Sequence, residues 1–363
     1  MSNQVFNFGA GPSMLPVPVM EQIQAEMRDY QGRGMSIIEM NHRSDEFQEI
    51  IASAKALFRE MMELPDNYRV LWSHGGGGMQ FNSVAMNLLG LHPQNKALYC
   101  NTGFFSTWAI AEARRFGKVD VITSSEETGF DHIPSLDPTL VDGDAAYLHI
   151  TTNNTMMGTR WNGFPSPLPM PLIGDATSEI LSRPIDVTQF GLLYAGLQKN
   201  LGPPGLAAII IREDLLGHAS PHIARQLDYT VLAETDSMPS TPNVFGIYVN
   251  RLVLDWTKRE GGPKAMEERN TRKAERLYGV IDSSDFYQGH ARPEDRSHQN
   301  YTFAVPNAEL LAMFFAEAEA QGLHGMKSPP MREDVRASMY NAMPMQGAEV
   351  LAGFMEDFER RHG

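Results

Sequence analysis

From about residue 68 to residue 215, short apolar runs alternate with longer stretches whose apolar positions recur every three or four residues. The short runs, 69–73, 97–100, 119–123, 145–150, 171–174, 192–195 and 206–212, predict buried strands. The three- and four-residue spacing predicts helices over 18–30, 44–62, 80–89 and 106–116, with Pro65-Asp66-Asn67 closing the second. Strand and helix in turn make an α/β fold, a mostly parallel seven-stranded sheet covered by helices.

A further helical pattern over 245–259 runs into Glu260-Gly261-Gly262-Pro263, a breaker cluster. The expected division is therefore a large domain over 16–260 and a smaller C-terminal α+β domain over 261–363, the latter joined by the N-terminal segment 1–15. Within the small domain the pattern predicts strands near 286–287, 301–305 and 336–340 and helices over 308–321 and 347–361. There is no internal repeat, and Ser124-Ser125-Glu126-Glu127 reads as a solvated loop.

Composition narrows the function classes. A formal charge of −14 over 363 residues argues against nucleic acid or an anionic membrane surface as partner, since both need a basic field. No apolar run reaches the ~18 residues of a membrane span, and the first residues lack a signal-peptide pattern, so a cytoplasmic protein is expected. The single cysteine, Cys100, excludes an intramolecular disulfide and reads as a small buried apolar residue. His42 and His74 have no metal-ligand spacing with other side chains, and no metal is assigned.

Polar residues collect where the strands end. His74-Gly75-Gly76-Gly77-Gly78 stands between a strand and a helix, either a phosphate cradle or a tight turn. It matches neither the dinucleotide fingerprint nor the Walker loop. Phe105 in Thr102-Gly103-Phe104-Phe105 is either a ring-stacking group or a core aromatic. The run 149–155 masses hydroxyl and amide groups past the next strand, Asp175 closes another, and Lys199 in Gln198-Lys199-Asn200 follows the neighbour. Open α/β sheets bind ligands at these ends. Jointly the residues make a set for pyridoxal phosphate: phosphate on the helix end, ring under the aromatic, ring nitrogen on Asp175, aldehyde on Lys199. Asn41-His42-Arg43 and Arg336 are candidates for acidic substrates.

Several blocks in order carry a resemblance: Phe6-Asn7-Phe8-Gly9-Ala10-Gly11-Pro12, His42-Arg43, Asp186-Val187, the stretch 194–203, Tyr278-Gly279-Val280-Ile281-Asp282, and Arg336-Ala337-Ser338-Met339-Tyr340-Asn341-Ala342. With them the chain resembles, over essentially its whole length, the phosphoserine aminotransferase family, fold-type-I pyridoxal-phosphate enzymes of the class V aminotransferase group. The resemblance implies reversible amino transfer between phosphoserine with 2-oxoglutarate and 3-phosphohydroxypyruvate with glutamate, and permits a role on 4-phosphohydroxythreonine.

It also implies roles by position. Lys199 takes the cofactor aldehyde and Asp175 the pyridine nitrogen; Gln198 and Thr155 bond the cofactor, Phe105 stacks on it, and Gly77 and Gly78 contact its phosphate. Ser240 and Thr241 reach the phosphate of the other subunit, implying a homodimer with shared sites, and His42, Arg43 and Arg336 bind the acidic groups of substrates. Three positions depart from the family pattern: Gly78 stands where Arg is frequent, Lys327-Ser328-Pro329-Pro330 where Lys-Gly-His-Arg is usual, and Ser240 where Asn is common. The first two remove groups that would hold a substrate phosphate, and Arg332 is an expected substitute. The rival reading is another class V aminotransferase, acting on alanine or serine with glyoxylate.

Overall fold

The computed structural model describes residues 5–141, 143–327 and 334–363. Ser328, Pro329, Pro330 and Arg332, named above for the substrate phosphate, lie outside the described residues. The central sheet has seven strands: β1 (Tyr68–His74), β2 (Lys96–Asn101), β3 (Lys118–Ser124), β4 (Leu148–Thr151), β5 (Leu172–Asp175), β6 (Leu192–Gly196) and β7 (Leu206–Arg212). Their order across the sheet is β1-β7-β6-β5-β4-β2-β3, and β7 alone runs antiparallel to its neighbours. The C-terminal ends of the other six strands therefore share one edge.

Alternation along these strands feeds two apolar layers. Trp72, Leu98, Ile150 and Ile210 point to one layer, where α2 (Asp45–Met61) and α6 (Val244–Arg259) cover the sheet. Leu71, Tyr99, Tyr147 and Ile209 point to the other, under α3 (Gly76–Leu88), α4 (Phe104–Ala113) and α5 (Tyr229–Glu234). Burial on both faces explains why the inner strands read as continuous apolar runs, while the edge strand β3 is mostly exposed.

After α6, Gly261 and Gly262 take left-handed φ of +101° and +69° and turn the chain into α7 (Gly262–Asp282). A separate apolar core follows, built from α7, α8 (Ala308–Ala320), α9 (Met345–His362) and the strands β9 (Asn300–Ala304) and β10 (Val335–Ser338), with β8 (Gln288–Gly289) paired beside β9. Phe6 and Phe8 belong to that core, which ties the N-terminal residues to the C-terminal third. Lys273 of α7 is buried in it and donates to the carbonyls of Tyr340 (2.8 Å) and Met343 (3.1 Å), clamping the turn after β10.

Four local expectations are corrected. The first helix, α1, spans Val17–Glu26 and does not reach Tyr30. Helix α3 begins at Gly76, not near Gln80, because Gly75 at φ +91° makes the left-handed entry and the glycines themselves form the first turn. Ser125, read as part of a solvated loop, is buried. The small-domain strand expected at 286–287 lies instead at Gln288–Gly289, where it pairs with Phe303 and Ala304.

Candidate active site

At the shared strand edge lies a cavity of about 410 Å³, lined by Gly75–Gly78, Phe105, Thr155, Asp175, Gln198 and Lys199 among others. Asp175 arrives as the last residue of β5, and Lys199 three residues beyond β6, the next strand in the sheet. Two segments, one N-terminal and one near the C-terminus, fix the lysine backbone. The Ser13 hydroxyl donates to the Lys199 carbonyl (2.6 Å), and the Ser13 N–H donates to that of Gln198 (3.0 Å). Asn200 accepts the Asn341 N–H at 3.0 Å. Gly11, at φ +139°, passes so close to Gln198 that an added Cβ would lie 3.1 Å from its Cγ, so the N-terminal segment needs glycine there.

Lys199 is 6% exposed, and its amine donates to Thr155 Oγ1 at 2.6 Å. It sits 5.3 Å from the centre of the Phe105 ring and 6.0 Å from that of Tyr340. Burial pushes its pKa down to about 7; the Asp175 carboxylate pulls the other way and the Arg336 charge adds to the depression. Asp175 is also buried, and its pKa is raised by desolvation against the hydrogen bonds of Thr177, whose N–H donates to Oδ1 at 3.0 Å. Thr177 Oγ1 in turn accepts the Gly196 N–H at 3.1 Å, locking the ends of β5 and β6 together.

This depressed pKa has a pH consequence. In the cofactor-free protein the amine becomes a free nucleophile above about pH 7, whereas an ordinary lysine does so near 10.5. The rate of capture of added pyridoxal should rise through pH 7 and level off; a rate still climbing toward pH 10 contradicts the burial argument. Between about pH 7 and 10.5 the unfolded chain binds the proton that the folded chain has lost, so stability contributed by Lys199 rises with pH across that window.

In the same lining α3 starts without any side-chain cap. Glycine is sterically required at 77 and at the facing position 196. A Cβ on Gly77 would lie 2.9 Å from Thr177 Oγ1, and one on Gly196 would lie 2.9 Å from the Gly77 nitrogen. Bare N–H groups at a helix start favour an anion.

Not every expected residue meets here. Lys199, Asp175, Thr155, Gln198, Phe105, Gly77 and Gly78 line the cavity. Arg336 lies beside it: Nη2 donates to the Gly325 and Lys327 carbonyls at 3.1 Å each, while Nε and Nη1 are buried with no partner among the described residues. His42, Arg43, Ser240 and Thr241 are not in the lining, and Arg43, Ser240 and Thr241 are exposed on this single chain. Sequence reasoning missed Thr177, Trp108 and Tyr340. Thr177 carried a signal, a hydroxyl two residues past the strand-ending acid; Trp108 and Tyr340 reach the site only through tertiary packing.

The lining fits pyridoxal phosphate on physical grounds. A buried amine and a buried carboxylate, both displaced toward their neutral forms, lie in one cavity with an uncapped helix start. Comparison with known proteins agrees. A phosphoserine aminotransferase of Listeria monocytogenes serotype 4b is 47% identical over 357 residues, covering 98% of this chain and 96% of that protein. The solved phosphoserine aminotransferase from Bacillus circulans subsp. alkalophilus superposes with a TM-score of 0.96 at 40% identity over 100% of both chains. The PLP-bound phosphoserine aminotransferase from Trichomonas vaginalis gives 0.91 at 30% identity, covering 97% of this chain and 100% of that one. The family model for class-V aminotransferases matches residues 5–351, and the chain belongs to that family.

Proposed function

We propose that this chain is a pyridoxal-phosphate enzyme that moves an amino group reversibly between phosphoserine with 2-oxoglutarate and 3-phosphohydroxypyruvate with glutamate. The observation that carries the reading is the buried Lys199 amine in one cavity with the buried Asp175 carboxylate, beside an uncapped helix start. When bound, pyridoxal phosphate supplies an aldehyde for the substrate amine and a ring that draws electrons from the α-carbon.

The chain's own groups do the rest. Asp175 holds a proton on the ring nitrogen by charge, Phe105 covers a ring face, and the N–H groups of Gly77 and Gly78 hold the phosphate. Thr155 and Gln198 orient the cofactor's polar edge. Lys199, once released from the aldehyde, carries the α-proton as general base and acid, a role its depressed pKa suits near neutrality. Arg336, with two buried N–H donors unpartnered among the described residues, receives the substrate carboxylate.

Ser240, Thr241 and Arg43 are exposed, and none of them, nor His42, lines the cavity of its own chain. We place them in the site of a second copy, so the working unit is a homodimer with each cavity completed by its partner.

The rival substrate pair, alanine or serine with glyoxylate, draws support from Gly78, which offers no side chain to a substrate phosphate. Single half-reactions separate the readings. Glutamate should bleach the visible band of the holoenzyme, and 3-phosphohydroxypyruvate should restore it much faster than glyoxylate does; faster recovery with glyoxylate favours the rival. Arg336→Met should raise KM for every carboxylate substrate by about tenfold to a hundredfold with a smaller change in kcat. An unchanged KM removes Arg336 from the substrate's path.

A further inference from the structure

The rim of the glycine-lined end carries a large aromatic that the chemistry above leaves unused. Trp108 lines the cavity and is 42% exposed, whereas Trp72, Trp161 and Trp256 are buried. It lies one turn along α4 from Phe104, with ring centres 6.4 Å apart, and meets Phe81 of α3 edge-on at 5.2 Å. Its six-membered ring lies over the first turn of α3. A Cβ built on Gly78 would stand 3.3 Å from Cη2 and within 3.9 Å of Cζ2 and Cζ3. The indole N–H points elsewhere, to Glu112 Oε1 at 3.3 Å, so the face over α3 is apolar.

We propose that Trp108 is a positioning residue for the anion cradle: its indole, seated over Gly78, keeps water off the N–H groups at the start of α3 that hold the cofactor phosphate, and glycine at 78 is what lets it sit there. An N–H–anion bond strengthens as competing water is excluded, and α3 has no side-chain cap of its own to do this. The contact also constrains position 78. Any side chain larger than hydrogen pushes the indole outward or is itself turned away from the cradle.

This inference rests on the cofactor reading, and the test separates the two. Binding of pyridoxal phosphate and of pyridoxal, which lacks the phosphate, is titrated by absorbance in wild type, Trp108→Ala, Trp108→Phe, Gly78→Ala and the Gly78→Ala/Trp108→Ala double variant. Trp108→Ala should weaken pyridoxal phosphate about tenfold and leave pyridoxal unchanged, since only an anion-specific contribution is lost. Trp108→Phe should restore most of the difference. The double variant should bind no worse than Trp108→Ala alone, because with the indole gone a Cβ at 78 has nothing left to displace. Equal weakening of both ligands, or no weakening of either, overturns the role of Trp108. Failure of the wild type to bind pyridoxal phosphate overturns the cofactor reading and this inference with it.

Discussion

Replacing Lys199 with alanine is expected to remove the visible absorbance of the holoenzyme and to lower turnover by at least about a thousandfold, since nucleophile and proton carrier are lost together. The fold should survive the change. Lys199 is anchored by its backbone, through Ser13 to its carbonyl and through Asn200 to Asn341, and neither link involves the amine. Removing the amine also removes a buried group whose charged form desolvation disfavours, so the melting temperature should hold or rise. Retained turnover with full cofactor content would mean that another group performs the chemistry.

Asp175→Asn separates holding the cofactor from activating it. Asparagine keeps the size of the side chain and an oxygen to accept the Thr177 N–H, but it offers no charge to a protonated ring nitrogen. Cofactor should still load through Lys199 while turnover falls by roughly a hundred- to a thousandfold, as when one preorganised electrostatic partner of the reacting group is removed. A second consequence follows from the coupling of the two groups. The Asp175 carboxylate raises the pKa of the Lys199 amine, so in the asparagine variant the onset of pyridoxal capture should move below pH 7. A shift to higher pH would show that the two side chains do not sense each other as this cavity implies.

Much of this was legible because the inner strands of the sheet are buried on both faces. Strands β5 and β6 read as short apolar runs, and Asp175 at the end of one and Lys199 just past the other stood out against them. The seven-stranded sheet and its helices follow from that contrast. What stayed hidden was set by backbone conformation or by distant packing. Four glycines in a row do not say where a helix begins; the left-handed Gly75 decides it. Thr177 locks two strand ends through hydrogen bonds that no periodicity encodes. Trp108 reads as a helix aromatic until the close approach of Gly78 gives it a place at the cavity rim. Arg336 was legible as a family position, but its two buried donors with no partner among the described residues are visible only in three dimensions.

The reading reduces to one covalent attachment point. Borohydride treatment of the purified holoenzyme, followed by proteolysis and mass spectrometry, fixes the cofactor to whichever lysine holds it. The account predicts a single modified peptide, carrying the pyridoxyl mass on Lys199. Modification at a different lysine, or an unmodified Lys199 in protein that binds the cofactor, would contradict it.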